Sequence, residues 1–175
     1  MTDGGPHDRP PCAPLSDAAV SLEPLREDHA EEMVQVLAAP ELYRFTGGAA
    51  PSLAELRQRY VRQSRGLSPS GDEAWLNWLV RDRASREALG YVQATVALSA
   101  SQRTASVAWV VAPAHQGRGI ATRAARLMVS HLESDGVRAF SASIADGHTA
   151  SERVATRLGM RRTEELDDGE VVWRR

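Results

Sequence analysis

A turn reading Gln116-Gly117-Arg118-Gly119-Ile120-Ala121 joins two segments of different periodicity, and this junction constrains the fold more than any other stretch. Before it, Ser106-Val107-Ala108-Trp109-Val110-Val111 is β-branched and aromatic and reads as a strand. After it, Ile120, Ala124, Leu127, Met128 and Leu132 recur at helical spacing, with Arg123, Arg126 and Glu133 on other faces. A glycine-rich turn from strand to helix aims unpaired backbone N–H groups outward, where the helix dipole also favours an anion. Taken alone, the turn has two readings: a phosphate cradle, or a tight connection that merely needs glycine.

The rest of the composition narrows the class. At 175 residues, with 42% hydrophobic and 25% charged residues, the chain can bury one substantial core, as an ordinary soluble domain does. A net charge of −2 gives no electrostatic footprint for nucleic acid or an anionic membrane, so neither is expected as a partner. All 21 basic residues are arginine, which points to codon bias more than to arginine chemistry. The single Cys12 excludes an internal disulfide and a cysteine-based zinc site, and no metal is expected. No apolar run reaches the ~20 residues of a membrane helix, and residues 1–14 have no hydrophobic segment of a secretory signal, so a cytoplasmic location is expected.

Along the chain, residues 1–17 are rich in Pro, Gly and Asp and read as a disordered leader before a single domain over 18–175. Val20 to Leu25 alternates as a strand. Asp28-x-x-Glu31 and Ser52-x-x-Glu55 offer helix starts, with Met33, Val34 and Leu37 inward in the first, and Leu53, Leu56 and Tyr60 in the second. Runs around Trp75–Val80, Ala88–Ala97 and Thr104–Val111, joined by short polar turns, predict an antiparallel meander. Asp135-Gly136 reads as a helix stop, Val137–Ile144 as a strand, and Thr149-x-x-Glu152 as a capping box for a helix ending at Leu158-Gly159. Asp168-Gly169 is a hairpin signal between two final strands. The order predicts an α/β fold: a mixed, mostly antiparallel sheet of six to seven strands flanked by four helices.

That order and two motifs resemble the GNAT superfamily of acyl-CoA-dependent N-acetyltransferases. The family signature appears as Gln116-x-x-Gly119-x-Ala121 on a strand-to-helix junction, and a second element as His148 through Met160, ending Leu158-Gly159-Met160. Leu22-x-Pro24-Leu25, with the Ser151 helix, is most similar to the branch that contains ribosomal-protein N-terminal acetyltransferases.

The resemblance implies that acetyl-CoA is the cofactor and that backbone amides over Gln116, Gly117, Arg118, Gly119, Ile120, Ala121 and Thr122 hold its pyrophosphate. Arg118 and Arg123 would add charge-assisted contacts, or stand as surface arginines. It also implies that the preceding strand bulges and splays from its neighbour, so that pantetheine pairs with Trp109, Val110 and Val111. A backbone N–H of Val110 or Val111 would then stabilise the oxyanion. His148, where the family usually has Asn, would contact the cofactor or only set the helix entry, and Ser151 would lie near pantetheine. Ala155 stands where many members have an acidic tyrosine, and Ser106 where many have a basic glutamate.

The implied reaction is direct attack of a primary amine, on a protein N-terminus or a small molecule, on the acetyl thioester. His115 and Glu73 are the candidate bases, with a water chain as a third route. The expected acceptor wall is the Tyr43–Gly48 loop, Asp72–Trp75 and the acidic hairpin Glu164–Glu170, in a monomer or homodimer. The alternative is a non-catalytic acyl-CoA-binding regulatory protein. A nucleotide-binding domain is disfavoured, because the G-x-G-x-x-G fingerprint fails at Thr122.

Overall fold

Periodicity and turn chemistry place the elements in a computed structural model that describes residues 9–98 and 102–175. A short β1 (Leu15–Ser16) precedes β2 (Val20–Pro24), α1 (Ala30–Val36) and α2 (Leu53–Gln63). The meander follows as β3 (Glu73–Asp82), β4 (Ala88–Ala97) and β5 (Thr104–Val111). Then come α3 (Ile120–Ser134), β6 (Ala139–Ile144), α4 (Thr149–Arg157) and the hairpin β7 (Arg161–Asp167) and β8 (Glu170–Arg174). The eight strands form one sheet in the order β1-β2-β3-β4-β5-β6-β8-β7, against the six to seven expected. Every neighbouring pair is antiparallel except β5–β6.

Strand alternation divides the side chains between two cores, one on each face of the sheet. Ala74, Leu76, Trp78 and Val80 of β3 join Ala105 and Val107 of β5 under α3 and α4, whose Ala124, Met128, Leu132, Ala155 and Leu158 fill that layer. Leu79, Tyr91 and Val110 point the other way and meet Met33 of α1, Leu37 just after it, and Leu56 and Tyr60 of α2. Ser52 caps α2 as its sequence requires, accepting from the Glu55 N–H at 3.3 Å while Glu55 returns to the Ser52 N–H at 2.8 Å. Gly136 (φ 90°) ends α3, and the φ values of Asp168 (48°) and Gly169 (84°) make the last hairpin a type I′ turn.

Three expectations are corrected. Residues 1–8 of the expected disordered leader lie outside the described residues, but 9–17 are packed. The Ala13 carbonyl accepts from the Trp78 indole at 2.8 Å, the Pro11 carbonyl accepts from His131 Nε2 at 2.7 Å, and Cys12 packs against the larger core. A proline-rich strap lacks donors but not carbonyl acceptors, and here it satisfies a buried indole. The helix starts also move. Asp28 is held by Arg26 and Glu31 by Arg57, so α1 begins after a 3-10 turn at Glu27–His29. At α4 it is His148 that caps, through Nδ1 accepting from the Ser151 N–H at 3.2 Å, one residue before the expected box.

The third correction concerns the bulge. The β4–β5 register runs unbroken from Gly90↔Val111 to Val96↔Ala105, so β5 is regular. The irregularity lies one strand over, where Val80 pairs with Gly90 but Arg81 with Ala88, leaving Leu89 as the extra residue of β4. Gly90 adopts φ 157°, and a Cβ there would overlap the Val110 carbonyl oxygen and lie 2.9 Å from Val111 Cα. The bulge therefore presses directly on the segment expected to hold the thioester.

Candidate active site

β5 and β6 run parallel but pair only at Thr104↔Ala139, Ala105↔Phe140 and Ser106↔Ser141. Beyond Ser106 the two strands diverge, and β6 turns its outer edge to β8 instead. The Ala112 N–H donates to the Leu89 carbonyl at 2.9 Å, which sets the alternation along β5. Val110 therefore directs its N–H at β4, whereas Trp109 and Val111 direct theirs into the gap. Of the two expected oxyanion donors, only Val111 faces the opening. Its carbonyl, pointing the same way, accepts from Gln116 Nε2 at 2.9 Å. Gln116 thus clips the turn to the strand end and leaves the Val111 N–H as the available group. Trp109 rests against the α3–α4 core and Val110 against the α1–α2 core, so their side chains brace the open edge from both faces.

At the end of the gap lies the glycine turn. Gly117 and Gly119 have φ of 74° and 76°, and Gly119 is the N-cap of α3 with no side-chain cap. The first intrahelical bond runs from the Arg123 N–H to the Gly119 carbonyl at 3.0 Å, so the amides of Ile120, Ala121 and Thr122 precede the ladder. With the positive end of a 15-residue helix behind them, they form an anion seat. The Ile120 side chain is buried in the core and Thr122 is also buried, so these residues offer backbone rather than side chain.

A cavity of about 530 Å³ begins at Gly119 and runs along α3, lined by Arg118, Arg123, Arg126 and Arg157. Arg123 is tied to Asp17 at 3.1 Å, so Arg118, Arg126 and Arg157 carry most of its unpaired positive charge. Arg126, on a polar face of α3, and Arg157 of α4 meet only where the two helices pack side by side, with the Arg126 guanidinium donating to the Arg157 carbonyl at 3.2 Å.

Across the gap, His148 stands at the start of α4. Its Nδ1 is the cap acceptor, so Nε2 carries the hydrogen, and burial lowers its pKa and keeps the ring neutral near pH 7. Phe45, from the loop between α1 and α2, meets the His148 ring edge-on at 4.2 Å between centroids. Loop and α4 thereby meet at the site, and Phe45 is the residue of the expected Tyr43–Gly48 wall that touches α4. Ser151, half-buried, donates its backbone N–H to His148.

The candidate bases are not brought to this place. Glu73 pairs with Ala97, six residues along β4 from the Tyr91↔Val110 pair, which is roughly 20 Å at strand rise. Its carboxylate accepts from the Trp75 indole at 3.0 Å. Asp72, bound to Ser68 at 2.8 Å, lies at that same remote end, so the Asp72–Trp75 part of the expected acceptor wall is displaced too. His115 is committed to Glu87 at 3.1 Å and meets Arg118 at 3.4 Å, anchoring the turn to the β3–β4 hairpin. Ser106 lies where β5 and β6 still pair, and Ala155 is fully buried. The acidic hairpin does reach the site's side of the sheet: Asp167 accepts from Ser143 of β6 at 3.0 Å.

A parallel pair that splays beside an uncapped helix start defines an acyl-CoA transferase architecture. Residues 20–161 match the family model described as Acetyltransferase (GNAT) domain, and the chain belongs to this family of acetyl-CoA-dependent N-acetyltransferases. The fold is shared with a GNAT acetyltransferase from Bacillus anthracis at TM-score 0.72 and 12% identity, covering 93% of this chain and 96% of that one. It is shared with RimL, a ribosomal L7/L12 alpha-N-protein acetyltransferase solved with coenzyme A, at TM-score 0.70 and 16% identity over 93% and 97%. Mycobacterium smegmatis RimJ, solved with CoA-disulfide, superposes at TM-score 0.68 and 19% identity over 93% and 85%. A search of curated proteins finds no match. Among the described residues, no helix is long and apolar enough to cross a membrane.

Proposed function

We propose that this chain moves the acetyl group of acetyl-CoA directly onto a primary amine, working in the cytoplasm. The observation that carries this reading is the β5–β6 divergence, which leaves the Trp109 and Val111 N–H groups facing a gap that ends at the uncapped start of α3. The residues fit the donor. The amides of Ile120, Ala121 and Thr122 would hold its pyrophosphate, Arg118 and Arg126 its remaining negative charge, and the open edge of β5 its pantetheine arm. The bound thioester supplies an activated acyl group with a good leaving thiolate.

The chain's own contribution is positioning and electrostatics. The Val111 N–H, locked by the Gln116 clip, would donate to the oxygen on which charge develops. A fixed donor of this kind is worth about 3 kcal/mol in the barrier. His115 and Glu73 are bound elsewhere, and the Nδ1 of His148 is taken by the Ser151 N–H, so the acceptor amine would lose its proton to water. The acidic hairpin would favour a cationic amine approaching from the β6 side.

Thiol release from acetyl-CoA, followed across amines and N-terminal peptides, tests this function. Release with at least one acceptor, abolished in Gly119→Glu with the fold intact, is expected. Tight acetyl-CoA binding with no release on any acceptor would refute the transfer step, and unchanged affinity in Gly119→Glu would refute the anion seat.

A further inference from the structure

On the sheet face opposite α3, a second and more enclosed cavity of about 80 Å³ lies between α2 and strands β3 and β4. Its apolar wall is Leu25, Leu37 and Trp78, and its polar groups come from Arg59, Tyr60, Gln63, Asn77, Tyr91 and Gln93. A small recess that mixes an apolar wall with convergent polar groups has the character of a ligand site. Tyr60 is 3% exposed, and its hydroxyl is buried without a hydrogen-bond partner. Among the described residues, the side-chain amides of Asn77 and Gln93 also find no protein partner.

The lining has one sign. Among the described residues no carboxylate lines the cavity, and none forms an ion pair with Arg59. Glu55, one turn earlier on α2, is bound into the Ser52 cap. The Arg59 guanidinium lines the recess beside Tyr60 and Tyr91 and favours ionisation of their phenols, while Glu32, held by Arg81, opposes it at Tyr60. Burial raises the pKa of Tyr60 and of Tyr91, so both stay protonated and can donate. A site that offers an exposed guanidinium, the buried Tyr60 hydroxyl, a half-buried second phenol and two half-buried amides disfavours a cation and suits a small anion.

The recess is also close to the gap. Tyr91 is the cross-strand partner of Val110, and Gln93 of Ala108, so it lies about one strand spacing, ~5 Å, from β5, across that strand from the gap. A molecule with its amine at the Val111 edge and an anionic group several bonds away would fill both places.

We propose that this cavity is the acceptor's carboxylate subsite, and that the acceptor is a small amino carboxylic acid rather than a protein N-terminus. The word acceptor rests on the acetyl-transfer reading; the anion preference of the cavity does not. Arg59 binds the carboxylate, with the Tyr60 hydroxyl and the Asn77 and Gln93 amides completing the shell. Thr95 and Ser106, further along the same face toward the remote end of the sheet, take no part.

The test uses the full chain and matched acceptors: leucine against leucinamide, 4-aminobutyrate against 4-aminobutanamide, and a tripeptide N-terminus. The acids are expected to exceed their amides by about 10- to 100-fold in kcat/KM, the value of a charge-assisted hydrogen bond. Arg59→Gln is expected to collapse that ratio to within about twofold, with acetyl-CoA affinity unchanged. Tyr60→Phe, a smaller change, is expected to lower the ratio by about fivefold. Calorimetry of the same acids and amides on the CoA-loaded protein separates this inference from the transfer reading. Acid-selective binding lost in Arg59→Gln supports the subsite even if no thiol is released. Equal use and equal binding of acid and amide, or preference for the tripeptide, overturns it.

Discussion

Gly90→Ala isolates the coupling between the β4 bulge and the reacting edge. The added Cβ would overlap the Val110 carbonyl oxygen and sit 2.9 Å from both Val110 C and Val111 Cα. Those atoms are backbone and cannot rotate away, so the end of β5 must retreat from β4 by about 1 Å to restore van der Waals separation. Stability should fall by about 2 kcal/mol, as for other overpacked positions. The effect on chemistry should be larger than on binding. A donor misplaced by ~1 Å costs about 100-fold in turnover, while the α3 amides, on a separate element, keep the donor's pyrophosphate seat. The assay is kcat from thiol release alongside acetyl-CoA affinity by calorimetry, at a temperature where the variant is folded. The predicted pattern is kcat down by about 100-fold with affinity within about threefold. Unchanged kcat in a folded Gly90→Ala would refute the claim that the bulge sets the position of Val111.

Two stability predictions come from polar groups away from the site. Arg81, 12% exposed, joins Glu23 of β2 at 2.7 Å to Glu32 of α1 at 2.5 Å, so Arg81→Ala leaves Glu32 without its partner and Glu23 held by Arg86. A loss of about 2 kcal/mol is expected, discounted for the solvent exposure of Glu32 and read as the urea midpoint; a loss below ~0.5 kcal/mol would show the network to be solvated. His29 and His148 both have pKa values lowered by burial, so the unfolded chain binds more protons than the folded one below the ordinary histidine value. Their contribution is complete above about pH 6.5 and is lost as pH falls through their lower folded values. Urea midpoints should therefore decline between about pH 6.5 and 5, and the decline should shrink in His29→Asn; a flat profile would contradict it.

Local chemistry was legible in the chain and non-local geometry was not. The Gly119 turn, the Ser52 cap and the Asp168-Gly169 hairpin each depend on residues within a few positions, and each stands where its sequence put it. The divergence of β5 from β6 depends on how far two strands separated by α3 stay paired, and no run of residues encodes that. Glu73 shows the cost: its type and exposure suited a base, but only the β3–β4 register reveals that it lies at the wrong end of the sheet. The proline-rich strap at 9–14 misled in a different way, since composition reports missing donors and is silent on carbonyls that accept. Arg59, Tyr60 and Gln93 come from α2 and β4 and acquire a shared meaning only when that helix lies on that strand.

The central claim is that acetyl-CoA lies along the open edge of β5 with its phosphates on the α3 amides. Backbone amide hydrogen exchange, read residue by residue with and without acetyl-CoA, tests it most directly. The amides of Trp109, Val111, Ile120, Ala121 and Thr122 should gain protection on binding, while Val110 and Ala112, already bonded to β4, should change little. Protection confined to other elements, or none at Val111 under saturating acetyl-CoA, would contradict the account.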